Sequence, residues 1–373
     1  MKKLFCMILT LSLVSCTQPE TEFSQTPSTT ETEIRLVCAD EMEKIEYLTK
    51  AFEKENPEIK ITVITTDPND DFALATKALL SGQQNPTIIL TKAEYLYDLL
   101  DYFANLSNEV WVNNALPNTL SEVSREGQIL AMPAEIEGIG FVYDKRFFEA
   151  ANINPEKINS LDRLIATAEH LSAKLSKLKK EFSTLNSIFA TPDEQTEKYL
   201  LNIVLSQEYS SLFEVTEKES ELSCAESYTT LLTLLQNYSS DKQNAHAVIA
   251  LQSHKMVGNT ANFDMLPIPV LGASQDSIIL NVPTYWAVNR SATKEEQKAA
   301  KSFLSWVYTS EAGNTLISET LGLISPFDNA TKIPDTPIAK TIRRYAISGK
   351  TMPYLLNGLD QEIYNKIKAD LPT

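Results

Sequence analysis

Two carboxylates, Glu135 and Glu137, stand between the apolar runs Ile129–Met132 and Phe141–Tyr143. Residues two apart on an extended chain project to one side, about 7 Å apart. They can therefore address one bound molecule together. A glycosidase pair must flank the scissile bond, and its members need not be sequence neighbours. The same two residues also fit a hairpin carrying solvated glutamates, and the residues alone leave both readings open. Other chemistry is sparse. The three histidines are His170, His246 and His254, and no His-Glu-x-x-His, Gly-x-Ser-x-Gly or P-loop pattern occurs. Ser176-Lys-Leu-Lys179 fits Ser-x-x-Lys, but neither Ser-Asp-Asn nor Lys-Thr-Gly accompanies it, so it reads as chance. No cysteine spacing suits zinc. Neither a metal, a cofactor nor an enzymatic activity is expected.

The elements around these residues alternate. Ile34–Cys38 reads as a strand, followed from about Glu41 by an amphipathic helix with Ile45, Leu48 and Phe52 on one face. Ile59–Ile64 is a second strand, and a helix through Phe72, Ala75 and Leu79 follows. Thr87–Leu90 is a third strand, and a helix carrying Tyr95, Leu99 and Phe103 comes next. The βαβαβα order predicts a mostly parallel sheet covered by helices. Such sheets bind ligands at the carboxyl ends of their strands. Here those ends are Ala39-Asp40-Glu41, Thr66-Asp67 and Thr91-Lys92.

Gly127–Asp144 then reads as a strand over Ile129–Met132, a break at Pro133, and a second strand resuming at Phe141. Gly138 and Gly140 fall in the break, where they would let the chain bend. A matching break follows later: Ser277–Val282 meets Pro283, and Thr284–Val288 starts a new strand. Between the two breaks, Asp144 and Ser160 can cap helices. Residues 193–240 read as mostly helical, and Ala247–Leu251 and Asp264–Leu266 as strands. Lys294–Thr309 is a strong helix, with Ala299, Ala300, Phe303, Leu304 and Val307 on its inner stripe.

At 373 residues the chain predicts two domains, possibly three. The net charge of −16, without a Lys/Arg cluster, argues against nucleic acid as a partner. Lys2 and Lys3 precede an apolar run, Leu4–Val14, as in a secretory signal. Eleven helical residues span only about 16 Å, short of the roughly 30 Å of hydrocarbon in a bilayer. The run ends Leu13-Val14-Ser15-Cys16, which resembles the bacterial lipobox, whose cysteine is lipidated. Residues 1–15 are thus expected to be a lipoprotein signal, with Cys16 the anchor. Residues 16–33 are polar and proline-punctuated, a tether of roughly 20 to 25 Å. Cys38 and Cys224 read as two free thiols.

Taken in order, these parts resemble the extracellular solute-binding proteins of ABC transporters, in the branch that binds sugars and oligosaccharides. The resemblance runs from Ile34 to about Asn329. Gly127-Gln-Ile-Leu-Ala-Met-Pro with Glu137-Gly-Ile-Gly-Phe-Val-Tyr-Asp-Lys145 is similar to one family crossover. Met265-Leu-Pro-Ile-Pro with Thr284-Tyr-Trp-Ala-Val-Asn-Arg290 is similar to the other. Ser160-Leu-Asp-Arg-Leu, Phe303-Leu-Ser-Trp306 with Ser310-Glu-Ala-Gly313, and Leu321-Gly-Leu-Ile-Ser-Pro-Phe327 fit further segments. There are departures. His254 stands where an aromatic often stacks on sugar, and Thr91-Lys92 replaces an Asp common at the third strand's end.

The resemblance implies a two-lobed α/β fold of the periplasmic-binding-protein type, with a ligand cleft between the lobes and hinge strands crossing between them. The first lobe would comprise residues 34–138 plus 284–320, the second 140–282 plus 321–373. It implies a lipid-anchored monomer, facing periplasm or cell exterior, that delivers a small solute to ABC permease subunits. An anchored hydrolase of sugars and a sensor or adhesion lipoprotein are the alternatives. A sugar pocket needs planar polar groups for hydroxyls and aromatic faces for C–H surfaces. The candidates are Asp40, Glu41, Asp67, Lys92, Glu135, Glu137, Thr191, His254, Tyr285 and Trp286. Tyr285 and Trp286 point to opposite faces of a strand, with Tyr285 preferred for the cleft and Trp286 for the core.

Overall fold

The structure, a computed structural model, describes residues 31–39, 42–67, 69–217, 225–240, 246–258, 260–269 and 276–371. Two sheets organise it. The first runs Ile59–Thr65, Thr32–Cys38, Ile88–Lys92, Thr284–Val288, Met132–Pro133. Its first three strands are parallel; Thr284–Val288 runs antiparallel to them, and Met132–Pro133 pairs antiparallel with it and so points the same way as the first three. Both faces are covered, as the apolar runs require. Ile34, Leu36 and Cys38 enter one core with the helices Met42–Glu55 and Lys294–Thr309, while Val37 enters a second core with Phe72. Phe52 meets Phe303 edge-on at 5.3 Å. A capping box, Thr293 with Glu296, fixes the start of helix Lys294–Thr309.

The second sheet runs Thr351–Pro353, Ile278–Asn281, Glu137–Asp144, His246–Ser253, Leu185–Phe189. Strand Phe263–Leu266 also pairs with Glu137–Asp144, further along the strand from Ile278–Asn281. Helices Leu161–Glu181, Glu194–Glu208 and Ala225–Asn237 contribute to its core, which includes Phe141, Phe189, Leu171, Leu200 and Leu231. Ser160 and Asp144 cap their helices as the sequence indicates.

Four expectations change. The helix expected through Tyr95, Leu99 and Phe103 breaks into the single turns Ala93–Tyr95, Leu96–Leu99 and Leu100–Tyr102. Phe103 turns extended and bridges Asn289, and Ala104 donates its N–H to Val288 at 2.7 Å; pairing at the sheet's end replaces a further helical turn. The strand expected over Ile129–Met132 splits. Gln128–Ile129 folds back on Ser124–Arg125 through Glu126 and Gly127, both at positive φ as a tight two-residue hairpin requires, and only Met132–Pro133 joins the sheet.

Gly138 and Gly140 are not a bend. They lie inside the strand Glu137–Asp144, paired with Leu280 and Gln252. A Cβ on Gly138 would sit 2.4 Å from Cγ1 of Ile342, and one on Gly140 2.8 Å from Cγ of Met265. Close packing, not backbone freedom, explains both glycines. The return to the second sheet also comes after residue 321. Leu321 and Leu323 pack against the first core, and Phe327 stacks on Tyr308 at 4.2 Å. Cys38 is fully buried, whereas Cys16, Cys224 and residues 1–30 lie outside the described residues.

Candidate functional site

The chain passes between the sheets at Ala134–Ile136 and again at Val282–Pro283. Strand direction determines what gathers there. His246–Ser253 runs antiparallel to Glu137–Asp144, so its carboxyl end meets the start of that strand. Ile278–Asn281 is also antiparallel to Glu137–Asp144, and Thr351–Pro353 is parallel to Ile278–Asn281, so both end on the same side. Three strand ends of the second sheet thus converge on Glu137.

Glu137 is the centre of a polar network. One carboxylate oxygen accepts from the Ser253 hydroxyl, and the other from the Asn281 amide at 2.8 Å. The Asn281 carbonyl oxygen in turn accepts from the Asn357 amide at 2.7 Å. The main-chain N–H of Gly138 donates to Nδ1 of His254 at 3.2 Å, which fixes that nitrogen as an acceptor. Burial holds the His254 pKa down to about 4, against the pull of the Glu137 carboxylate and with help from Lys255. The imidazole is therefore neutral at pH 7. Ser253 also accepts from the N–H of Lys255, which aims the lysine back at the crossing. There its ammonium lies 3.0 Å from Glu135, which is 9% exposed.

Aromatic surface comes from tyrosines. Tyr199 and Tyr354 meet edge-on at 6.2 Å. Burial pushes the Tyr354 phenol up to about 12, opposed by a hydrogen bond with Gln195 and reinforced by the charge of Glu137. All three tryptophans, Trp111, Trp286 and Trp306, are buried in the first lobe's core.

A narrow cleft on one side of the crossings is lined by Tyr97, Asn118, Glu122, Leu212, Tyr285 and Tyr354. Residues of both lobes meet across it. Glu122 accepts from the Tyr97 hydroxyl and from the Leu212 N–H, the latter at 3.0 Å. Burial raises the pKa of Glu122, opposed by those hydrogen bonds and by Arg125. On the other side lies an apolar recess with a polar rim, lined by Lys44, Lys92, Glu135 and Trp286 among others.

The structure thus brings Glu135, Glu137 and His254 together, with Lys92 and Trp286 in the recess beside Glu135 and Tyr285 in the opposite cleft. Tyr285 and Trp286 enter different cores, as their alternation indicates, and each is only 2% exposed. Asp67 is exposed, and its carboxylate is held by the N–H and amide of Asn69, which lower its pKa. Thr191 is also exposed and donates to the Ser240 carbonyl at 2.7 Å. Asp40 and Glu41 lie outside the described residues. Ser253, Lys255, Asn281, Tyr354 and Asn357 escaped the sequence reading. The rule that ligands gather at strand ends, applied to the strands expected at Ala247–Leu251 and Ser277–Val282, would have pointed to Ser253 and Asn281, whereas Tyr354 and Asn357 follow the short strand Thr351–Pro353, which the sequence did not suggest. Among the described residues no cluster of His, Cys, Asp and Glu is arranged to hold a metal ion.

Known proteins share this architecture. The sequence model for bacterial extracellular solute-binding proteins matches residues 47–342. No curated protein matches the chain. Apo RafE from Streptococcus pneumoniae superposes with a TM-score of 0.71 at 16% identity, over 93% of this chain and 98% of that one. A family 1 extracellular solute-binding protein from Bifidobacterium longum subsp. infantis gives 0.67 at 15% identity, over 91% and 94%. A sugar transporter from Bacillus licheniformis, in complex with stachyose, gives 0.58 at 14%, over 91% and 94%. With a family match over most of its length and a two-lobed α/β fold to go with it, the chain belongs to the bacterial extracellular solute-binding proteins.

Proposed function

We propose that this protein captures a neutral oligosaccharide between its lobes and delivers it to an ABC importer, held at the membrane by a lipid on Cys16. The observation that carries the reading is the network centred on Glu137. A carboxylate, two amides, a hydroxyl and a neutral imidazole converge where the chain crosses between the sheets, with Tyr199 and Tyr354 beside them. Such groups give and accept the paired hydrogen bonds that sugar hydroxyls make, and tyrosine rings supply the apolar faces. The complex of the Bacillus licheniformis relative with stachyose supports the same ligand class.

The lobes we assign are residues 34–133 plus 284–328 and 137–281 plus 329–373, because Glu137 and Gly138 lie in the second sheet and Leu321, Leu323 and Phe327 pack on the first lobe. Each crossing would act as a hinge through its connecting residues, Ala134–Ile136 and Val282–Pro283, rather than through the glycines. The role is binding without turnover. Both oxygens of Glu137 are engaged by Ser253 and Asn281, and Glu135 faces Lys255, so neither is arranged as a free acid–base pair. The family is extracellular, and delivery outside the cytoplasm fits the signal and the lipobox-like Cys16.

A thermal-shift screen of the full chain against oligosaccharides, polyols, glycerophosphodiesters and peptides tests the ligand class. A ligand at about 100 times its dissociation constant adds roughly 2.7 kcal/mol. Stabilisation by peptides or phosphodiesters alone would remove the sugar assignment.

A further inference from the structure

Contacts between the lobes are not confined to the crossings. Glu122 sits in the short turn Ser121–Val123 of the first lobe, and Leu212 opens the helix Leu212–Glu217 of the second. The first N–H of a helix has no acceptor within it. Here Glu122 supplies that acceptor across the cleft at 3.0 Å, while its other oxygen takes the Tyr97 hydroxyl. Tyr97 comes from the first lobe, yet it packs against the second lobe's core. The Arg125 guanidinium lies 5.2 Å from the centre of the Tyr97 ring and 5.4 Å from that of Phe213, the residue after Leu212. Asn118 adds a hydrogen bond to Thr351 at 3.1 Å.

We propose that Glu122, positioned by Tyr97 and Arg125, is a latch that holds the lobes together and sets how readily the cleft opens. The inference rests on reading the molecule as a binding protein whose lobes open and close. The geometry explains the components. A carboxylate that bonds one group on each side of a boundary resists separation of the two sides. Arg125, stacked between a ring of each lobe, resists it as well. The contacts of Glu122 with Leu212, of Arg125 with Phe213 and of Asn118 with Thr351 cross the boundary and are lost when the lobes part, whereas Tyr97 holds Glu122 and Arg125 from within the first lobe. Glu122 makes no hydrogen bond to the Glu137 network, although Tyr354 and Asn357 line the same cleft, so the free protein's open–closed equilibrium is the quantity that reads the latch. Since a ligand favours the state it binds best, weakening the latch lowers apparent affinity by the fall in the closed fraction.

The test is single-molecule energy transfer on the full chain. Dyes are attached through azido amino acids at exposed Lys50 on the first lobe and Lys157 on the second. Glu122→Ala removes a charged acceptor from the Leu212 N–H and should reduce the ratio of closed to open molecules at least about tenfold. Arg125→Ala should act in the same direction more weakly. The thermal midpoint identifies a variant that fails to fold, and Arg125→Ala carries the test if Glu122→Ala does. Distance distributions unchanged from wild type in a folded variant would overturn the latch. The oligosaccharide panel of the thermal-shift screen is then added as a probe of the functional reading. A latch effect with no response to any oligosaccharide would leave the latch standing and remove the sugar assignment. A sugar response with no effect of Glu122→Ala would do the reverse.

Discussion

Lys255 and Glu135 form an ion pair at 3.0 Å that joins the second lobe's loop after His246–Ser253 to the crossing between lobes. The carboxylate is 9% exposed and the lysine side chain 41%, so the pair is neither a surface contact nor fully desolvated. Its value should lie near the upper end for exposed pairs, about 1 kcal/mol. A double-mutant cycle with Glu135→Gln and Lys255→Met, read by urea unfolding, should return coupling of that size. Additive effects would mean that the two groups act independently.

Gly138 and Gly140 should report on packing. Gly138→Ala places a methyl 2.4 Å from Ile342, and overpacking of a filled core costs roughly 1–3 kcal/mol. Chemical denaturation should show that loss, while ligand affinity of the folded fraction stays near wild type. Unchanged stability with impaired closure would restore a hinge role to these glycines.

His254 should make stability depend on pH. Its folded pKa is about 4, against an ordinary value of 6.5. Between these values the unfolded chain holds a proton that the folded chain does not, so stability falls as pH drops from about 6.5 to about 4. A shift of that size corresponds to something on the order of 3 kcal/mol. Thermal midpoints across this range should fall more steeply for wild type than for His254→Gln. Equal slopes would locate the dependence elsewhere.

Asn281 should matter for binding more than for folding. Asn281→Ala removes a donor from Glu137 and an acceptor from Asn357. Calorimetric affinity for the ligand found by screening should drop at least tenfold, the size expected when a charged acceptor loses one partner. Retained affinity would move the binding site away from this network.

These residues also show what could be read before folding. The parallel strands and the helix Lys294–Thr309 were legible because the alternation of elements and the 3.6-residue stripe are local properties. The two crossings were visible at Pro133 and Pro283. Glu135, Glu137 and His254 could be singled out individually, but not their partners. Ser253, Lys255, Asn281 and Asn357 come from three different strand ends, and only strand order and direction bring them to Glu137. The glycine reading failed for a related reason. A glycine that bends the chain and a glycine that admits Ile342 look alike until the helix Pro337–Ile347 is in place.

The most direct measurement is titration calorimetry of the full chain with a panel of neutral oligosaccharides, alongside Glu137→Ala as a matched control. The account predicts saturable one-to-one binding of at least one of these sugars to the wild type. It also predicts loss of that binding in Glu137→Ala at unchanged fold by circular dichroism. Binding that survives Glu137→Ala, or saturation by a peptide with no heat from any sugar, would contradict it.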